Sequence, residues 1–346
     1  MKVGIIAANN IRFSPYIFYY TSILDKLDID YELIYPDRTN VDDTFQAVTH
    51  LIKWNSRIPT ALAYYEYIKS VKQVINKEKY ELLIVLTMNN AVYMARWLKK
   101  SYFRKYIVDI RDYTHENIPI YFNLEKIAVS NSLLNVISSS KFVEFLPEGQ
   151  YITCHNMRNS ELVCAPVINK DKQISIAYIG KGAYLENCAR ICEKVSRDSR
   201  FRFLFYGLKS IPVELEPFQG FDNIEFNGIF APDEKESIIR GIDILFNVYG
   251  NGSPLLDYAL SNKLYDAFVY GKPILTSPKT YMSEMAGPYA FDIDLNNPSF
   301  LDDLYYWYTA LNEEMLISYG KRMLKRIEEE ENNTTDIIEK AIKSFV

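Results

Sequence analysis

Glycine is scarce in this chain, supplying only 13 of 346 residues, about 4% against a usual share of about 7%. Glycine adopts positive φ more easily than any other residue, so a chain poor in glycine has few positions for glycine-rich loops. We therefore expect any phosphate site in this protein to use helix N-termini and basic side chains rather than a glycine-rich cradle.

Cysteine is also scarce, the chain has no net positive charge, and it has no long apolar runs. Four cysteines are too few for a disulfide scaffold. The net charge of -5 argues against a general nucleic-acid binder, which is usually basic. No stretch reaches the roughly 18 apolar residues of a transmembrane helix, and the apolar run Val3–Ala8 is too short for a signal peptide. These observations predict a cytoplasmic protein with reduced thiols.

Short apolar runs alternate with segments of helical periodicity, and the alternation occurs twice. The runs begin at Val3, Tyr31, Leu82, Tyr106 and Leu133, and then at Ile174, Phe201, Ile224, Ile242 and Pro273. Such alternation predicts parallel α/β sheets with helices on both faces. The length of the chain also favours two domains.

The predicted division of the chain follows from this restart. We expect an N-terminal Rossmann-like domain over 1–156, a polar linker over 157–173, and a second Rossmann-like domain over 174–317. A terminal helix over 318–346 is expected to pack back on the first domain. Ligands of open α/β sheets bind beyond the carboxyl ends of the strands, so we expect the two sheets to face each other across a cleft.

The segment 261–276 carries the clearest chemical pattern. Ser261 or Asn262 can cap a helix, which leaves free N–H groups and a positive dipole end. Lys263 adds a charge there, a combination that suits a diphosphate. Asp266 lies one helical turn further on, where a carboxylate can accept hydrogen bonds from a ribose diol. A plain capped helix would give the same pattern.

This segment resembles the "N-K-L-x-E-A-x-A-x-G-x-P-V" stretch of GT-B fold glycosyltransferases of the family 4 or "group 1" set, which build bacterial polysaccharides. Other segments resemble that family in the same order along the chain. They are Tyr106–Asp112, Val136–Ser140, Cys154–Asn156, Tyr178–Gly180 and Asn227–Phe230.

The resemblance implies that the C-terminal domain binds a UDP- or GDP-linked sugar as substrate, with no separate cofactor. It places Asp266 at the ribose and the preceding residues of the helix at the diphosphate. It places Gly228 to Phe230 at the nucleobase, and Gly180 and Lys181 near the phosphates. The implied donor-binding residues are Gly180, Lys181, Gly228, Ile229, Phe230, Ser261, Asn262, Lys263, Leu264 and Asp266.

The chain departs from the family pattern at two places. Tyr258 stands where the first acid of the paired-glutamate pattern would lie, with Asp257 beside it. The glycine-rich loop after the first strand is replaced by Ala8-Asn9-Asn10. Two alternatives therefore stay open: a nucleotide-sugar epimerase or hydrolase on the same scaffold, and a non-catalytic partner in glycan assembly.

Transfer of this kind needs charge stabilisation at the leaving diphosphate rather than a dedicated metal, and an inverting reaction needs a proton acceptor. Asp112, His115 and Glu116 follow a predicted strand and are the catalytic candidates. His115 is the best base because histidine ordinarily titrates near neutrality. A salt-bridged loop with a solvated histidine is the alternative interpretation.

The resemblance also implies a glycan or polyprenyl-linked acceptor and no nucleic-acid partner. The stretch 96–105 contains five basic residues, three aromatic residues and no acidic ones. Such a segment can lie against anionic lipid, which predicts peripheral attachment at the inner face of the membrane. A solvated helix end is the alternative.

Overall fold

The computed structural model describes residues 1–38, 47–157 and 160–345. The chain forms two compact units, one of Met1–Asn156 with Glu329–Val346 and one of Met157–Glu328. Residues 158 and 159 of the predicted linker, and residue 346 of the predicted terminal helix, lie outside the described residues.

The first unit is built on a parallel sheet of seven strands in the order β3-β2-β1-β4-β5-β6-β7. Its strands are Lys2–Ile6 (β1), Asp30–Asp37 (β2), Val48–Lys53 (β3), Leu82–Leu86 (β4), Tyr106–Ile110 (β5), Leu134–Ile137 (β6) and Ile152–Thr153 (β7). Its helices are Ile17–Lys26 (α1), Thr60–Glu78 (α2), Met88–Ser101 (α3) and Pro119–Asn131 (α4).

Strands β4 and β5 are buried along their whole length, as expected for strands covered by helices on both faces. The chain begins in the middle of this sheet at β1, continues through β2 and β3 on one side, and then crosses to β4 on the other. The point between β1 and β4 is therefore the topological switch point, where ligands of such sheets bind.

The second unit is built on a parallel sheet of six strands in the order β10-β9-β8-β11-β12-β13. Its strands are Ile174–Ile179 (β8), Phe201–Tyr206 (β9), Ile224–Phe226 (β10), Ile244–Asn247 (β11), Ile274–Thr276 (β12) and Ala290–Asp292 (β13). Its helices are Leu185–Val195 (α5), Lys235–Arg240 (α6), Pro254–Tyr258 (α7), Asn262–Val269 (α8), Tyr281–Ala286 (α9) and Phe300–Ala310 (α10). The switch point lies between β8 and β11.

The start of the second unit packs against the end of α8. The Val163 amide donates to the Val269 carbonyl at 2.8 Å. A Cβ added to Gly271 would lie 2.7 Å from the Pro166 nitrogen, and the residue has φ +60. Only glycine fits here, because both the close approach and the left-handed backbone exclude a side chain.

The last helix, Glu313–Lys343 (α11), contains residues of both units. Its second half packs on the first unit, where Ile338 and Ile342 are fully buried in the same core as β1. Thr334 Oγ1 donates to the Thr153 carbonyl at 2.6 Å. Among the described residues, none of the helices is long and apolar enough to span a bilayer.

The prediction of two tandem Rossmann-like α/β units is confirmed. Strands β3, β7 and β13 were not predicted. All three lie at the edges of their sheets, and β7 and β13 have only two and three residues. A 3₁₀ turn, Pro232–Glu234, directly precedes α6.

Candidate functional site

Three loops of the second unit meet beyond the carboxyl ends of β8, β9 and β10. The Gly207 amide donates to the Gly228 carbonyl at 2.6 Å. A Cβ on Gly207 would lie 2.5 Å from the Gly180 carbonyl oxygen and 3.4 Å from the Phe230 ring. The structure thus brings together Gly180, Gly228 and Phe230, three residues that the resemblance assigns to the donor. Ile229, between the last two, is exposed.

The turn after β8 folds around the hydroxyl of Tyr178. The amides of Gly182 and Ala183 both donate to this oxygen at 2.9 Å, and the hydroxyl donates to the Ala183 carbonyl at 3.2 Å. These amides would have to exchange partners to bind a phosphate. Lys181 lies exposed in the same turn.

Helix α8 begins with a side-chain cap that is itself tied to the sheet. Ser261 Oγ accepts from the Lys263 amide at 3.1 Å and donates to Asn247 Oδ1, at the end of β11, at 2.8 Å. Asn262 is exposed, whereas the Leu264 side chain is fully buried in the core. Of the two candidate caps, Ser261 is the one used, and Leu264 can contribute only its backbone to a ligand.

Lys263 is the cation at the switch point between β8 and β11. Its Nζ donates to the Tyr249 hydroxyl and lies 5.1 Å from the centroid of that ring. Burial lowers the pKa of Lys263 to about 8, against an opposing effect of the Asp266 charge. The side chain is only half-buried by surface area, but its ammonium end is surrounded by protein. Because burial destabilises the charged form of this lysine, a bound anion would stabilise its ammonium.

Two stacked tyrosine rings lie beside Lys263. Tyr184 stacks on Tyr249 with centroids 4.3 Å apart and ring planes 20° apart. Tyr184 has φ +58, an uncommon conformation for a residue with a side chain. This pair was not predicted, because its members come from different segments of the sequence.

Asp266 is paired with a lysine that sequence reasoning missed. Lys235 Nζ, from the first turn of α6, lies 2.8 Å from Oδ1 and 2.7 Å from Oδ2 of Asp266. Lys235 is more than a third exposed, and ion pairs of this kind contribute about 0–1 kcal/mol. Ribose hydroxyls can therefore compete for the Asp266 carboxylate at little cost.

In the first unit, the residues after β5 include a buried ion pair. Arg111 donates to both oxygens of Asp109, through Nε to one and through Nη2 to the other at 2.7 Å. The Tyr20 hydroxyl also donates to Asp109, at 2.5 Å. Asp109 is fully buried, so its carboxylate serves to anchor this loop.

The three predicted catalytic residues lie in the same loop but differ in surroundings. His115 is exposed, and its ring centroid lies 5.5 Å from that of Tyr121. Asp112 is exposed by surface area, although crowding by protein raises its pKa and the Arg111 charge lowers it. Glu116 is buried and accepts from the Thr114 amide at 2.6 Å.

A buried acid lies behind this loop. Glu125, on α4, is fully buried, and neither of its oxygens has a hydrogen-bond partner in the described part of the chain. Burial raises its pKa to about 8, and the Glu116 charge adds to the rise. Sequence reasoning missed it, because an acid on a helix ordinarily faces water. Within the described ranges, no three or more His, Cys, Asp or Glu side chains are grouped as metal ligands.

Comparison with solved structures gives full-length matches at low identity. Sucrose-phosphate synthase from Thermosynechococcus elongatus superposes with a TM-score of 0.74 at 10% identity, covering 99% of this chain and 100% of that one. The lipopolysaccharide outer core galactosyltransferase WaaB gives 0.68 at 12%, covering 97% and 99%. Anabaena HepE in complex with UDP and glucose gives 0.70 at 10%, covering 98% and 99%.

The chain has the GT-B fold. No protein-family model matches the sequence, and neither does any curated protein. Identities this low carry the GT-B fold and nothing finer, so the roles of individual residues rest on the geometry above.

Proposed function

We propose that this protein is a glycosyltransferase that moves a sugar from a UDP- or GDP-linked donor to a glycan or lipid-linked acceptor in polysaccharide biosynthesis. The observation that carries the proposal is Lys263, half-buried at the capped N-terminus of α8 beside the β8–β11 switch point. Asp266 lies one turn further along the same helix. HepE, which shares the GT-B fold, was solved with UDP and glucose.

The donor would be held by three groups of the second unit. Lys263 Nζ would bind the diphosphate, Asp266 the ribose hydroxyls, and Gly228 to Phe230 the nucleobase. The Lys263 and Leu264 amides already donate to Ser261, so α8 would contribute through its dipole. Negative charge develops on the diphosphate as the glycosidic bond breaks, and a fixed cation with a helix N-terminus stabilises it. The cation in this proposal is Lys263, so no bound metal is invoked.

The acceptor hydroxyl would lose its proton to His115. His115 is exposed at the carboxyl end of β5, where a substrate can reach it, and a neutral imidazole can take a proton near pH 7. Asp112 is the second candidate in the same loop. Glu116 is engaged by the Thr114 amide and hydroxyl, so we assign it to ordering the loop.

Two other activities are kept as alternatives because Tyr258 stands where the family carries an acid. A nucleotide-sugar epimerase or hydrolase would consume the donor without an acceptor, which NMR of the donor detects. A non-catalytic assembly partner would bind nucleotides weakly or not at all.

The test of the proposed function is a thermal-shift panel of nucleotides and nucleotide-sugars on the full chain. We expect UDP or GDP, and one of the matching nucleotide-sugars, to raise the melting temperature, whereas AMP and NAD do not. A panel in which no nucleoside diphosphate stabilises the protein would overturn the proposal.

The ribose assignment gives a sharper prediction. Wild-type protein is expected to bind UDP or GDP about 10- to 100-fold more tightly than the 2′-deoxy analogue, because hydrogen bonds to a charged group contribute about 1.5–3 kcal/mol. Asp266→Asn should remove most of this preference, as measured by calorimetric titration. The matched control Asp257→Asn should keep it. Equal affinities for both nucleotides in the wild type would contradict the assignment.

We also propose that the basic stretch 96–105 contacts anionic lipid, with the protein working in the cytoplasm at the inner face of the membrane. Its support is the exposure of the charges and of Phe103, which is 57% exposed. The stretch ends at the amino end of β5, the edge of the sheet opposite to His115. Lipid bound there would leave the catalytic edge open.

Vesicle binding tests the lipid contact. Replacing both Lys99 and Lys100 with glutamine should weaken co-sedimentation with phosphatidylserine-containing vesicles, since each basic residue contributes about 1 kcal/mol. The double variant Lys69→Gln with Lys126→Gln, on exposed faces of α2 and α4, controls for net charge. Equal binding by both variants would contradict a specific contact surface.

A further inference from the structure

Four residues at the switch point of the seven-stranded sheet hold buried polar atoms without hydrogen-bond partners among the described residues: Asn10 Nδ2, Arg38 Nε and Nη2, Thr87 Oγ1 and Asn90 Oδ1. We call Asn10, Arg38, Thr87 and Asn90 the switch-point cluster. Buried polar atoms are satisfied in the great majority of cases, so several unsatisfied ones at one place indicate a ligand.

The cluster lies at the ends of three adjacent strands. Strand β1 pairs with β2 on one side and with β4 on the other. Asn10 follows β1, Arg38 follows β2, and Thr87 and Asn90 follow β4. The Arg38 amide donates to Asn10 Oδ1 at 3.0 Å, which fixes two of the members directly to each other.

The backbone at the cluster is also constrained. Thr87 has φ +74, a conformation that a β-branched residue adopts only when its surroundings enforce it. Its amide donates to the Asp109 carbonyl at 2.8 Å, which ties the turn to the neighbouring strand. Strained residues of this kind concentrate at ligand sites.

Aromatic rings hold the Arg38 guanidinium in place. Its central carbon lies 3.9 Å from the centroid of the Trp54 ring and 5.2 Å from that of Tyr64. Trp54 and Tyr64 meet edge to face at 5.3 Å, and Tyr64 stacks on Tyr93 at 5.3 Å. A guanidinium fixed between rings loses little entropy when a ligand binds.

The two unsatisfied atoms of Arg38 form one edge of its guanidinium. Nε and Nη2 point in parallel, and this edge forms paired hydrogen bonds with a carboxylate or a phosphate. No described residue supplies an acceptor to either atom. Leaving such donors buried and unpaired is costly, and an oxyanion of a ligand would satisfy both.

We propose that the switch-point cluster binds an oxyanion of the acceptor, so that the acceptor is an acidic or phosphorylated sugar. This inference rests on the proposed function. Arg38 would take the anion through its Nε–Nη2 edge, and Asn10 Nδ2 and Asn90 Oδ1 would bond neighbouring sugar hydroxyls. Carboxylate and phosphate share this chemistry, and the experiment below separates them.

Side-chain contacts lead from the residue next to the cluster, Asn89, to the candidate base, His115. Asn89, next to Asn90 on α3, accepts from the Tyr121 hydroxyl at 2.9 Å. The Tyr121 ring lies 5.5 Å from that of His115. An acceptor anchored by its anion at Arg38 would thus lie in the same unit, at the same edge of the sheet, as the group that takes its proton.

The test is a calorimetric titration of the full chain with glucose, glucuronate and glucose 6-phosphate, which differ only at C6, in the presence of UDP. In the wild type, at least one of the two anionic sugars is expected to bind ten or more times as tightly as glucose. Arg38→Gln should reduce this preference to below threefold. Arg57→Gln, an exposed arginine of the same unit, should leave it unchanged.

The anion is identified by which sugar shows the preference and by Arg38→Lys, which keeps a charge and loses the paired edge. A preference for glucuronate that this variant loses indicates a carboxylate, and a preference for glucose 6-phosphate that it partly keeps indicates a phosphate. Equal binding of all three sugars by the wild type, or an anionic preference that survives Arg38→Gln, would overturn the proposal. Inorganic phosphate binding as tightly as glucose 6-phosphate would overturn the assignment to the acceptor.

Failure of this inference and failure of the proposed function give different results. UDP affinity reports on the second unit and is expected to be the same in Arg38→Gln as in the wild type. If UDP binds and Arg38 has no effect, the inference alone fails. If UDP does not bind the wild type, the proposed function fails whatever Arg38 does.

Discussion

Replacing Lys263 with methionine is expected to weaken the binding of UDP or GDP by about 10- to 100-fold, because a charged hydrogen bond to a partly desolvated diphosphate contributes about 1.5–3 kcal/mol. Methionine keeps the apolar stem and removes the ammonium that donates to Tyr249. Calorimetric titration measures the change. Lys194→Met, at an exposed position of α5, is the matched control and should bind as the wild type does.

The lowered pKa of Lys263 adds a pH dependence to this prediction. With the pKa near 8 in the nucleotide-free protein, the ammonium is lost as pH rises through 8. Nucleotide affinity of the wild type should therefore fall between pH 7 and pH 9.5, with proton uptake on binding. Lys263→Met should show no such fall. A wild type with constant affinity over this range would contradict the role of the ammonium.

The stability of the nucleotide-free protein should change in the opposite direction. The folded-state pKa of Lys263 lies below the ordinary lysine value of 10.5, so the unfolded chain binds more protons between about pH 8 and pH 10.5. The contribution of this group to the free energy of unfolding therefore rises with pH in that window. Comparing the wild type with Lys263→Met by denaturant unfolding isolates it.

Replacing Arg111 with methionine is expected to lower the free energy of unfolding by about 3–5 kcal/mol, the usual cost of leaving a buried charge without its partner. Asp109 is fully buried, and Arg111 supplies two of its hydrogen bonds. Arg111 also donates to the Cys154 carbonyl at 3.1 Å and to Asn156 Oδ1 at 2.9 Å. The variant therefore also loses the hydrogen bonds that hold residues 154–156. Urea unfolding followed by circular dichroism measures the loss.

Two companion variants show whether burial causes the effect. Arg240→Met breaks the exposed pair with Glu236 on α6 and should change stability little, because exposed pairs contribute little. Adding Asp109→Asn to Arg111→Met should recover part of the loss, since the buried charge is then removed with its partner. A loss below about 1 kcal/mol in Arg111→Met would show that Asp109 is not desolvated as the structure has it.

Much of the fold could be predicted from the sequence because buried parallel strands have a strong local signal. The run at Leu82 is continuously apolar, those at Tyr106 and Ile174 are interrupted by one polar residue each, and all three form central strands. Strand β3, Val48–Lys53, has no buried residue and contains a histidine and a lysine. Its apolar signal is weak because an edge strand is covered less than a central one.

The candidate site was predictable where it depends on local chemistry. Ser261 caps α8 because its hydroxyl reaches a backbone amide that follows it. Lys263 lies in the first turn of α8 because it is two residues after this cap. The pairing of Asp266 with Lys235 joins residues 31 positions apart. No local pattern indicates such a contact.

The switch-point cluster was beyond sequence reasoning for a similar reason. Its arginine, Arg38, follows β2, whereas the two rings that pack on it come from elsewhere: Trp54 follows β3 and Tyr64 lies in the first turns of α2. Only the folded chain brings these three residues together. The sequence showed that Ala8-Asn9-Asn10 replaces a glycine-rich loop. The structure adds that Asn10 Oδ1 accepts from the Arg38 amide.

The central claim, sugar transfer from a nucleotide donor, is tested most directly by mass spectrometry of reactions that contain the full chain, a UDP- or GDP-sugar and a set of acceptors including glucuronate and glucose 6-phosphate. We predict that one acceptor gains the mass of one sugar residue, with release of an equal amount of nucleoside diphosphate. Release of nucleoside diphosphate without any gain of mass by an acceptor would contradict transfer and indicate the hydrolase. An epimerase leaves the mass of the donor unchanged and is recognised by NMR of the donor. An unchanged donor, together with no detectable nucleotide binding, would contradict the assignment of any nucleotide-sugar chemistry to this protein.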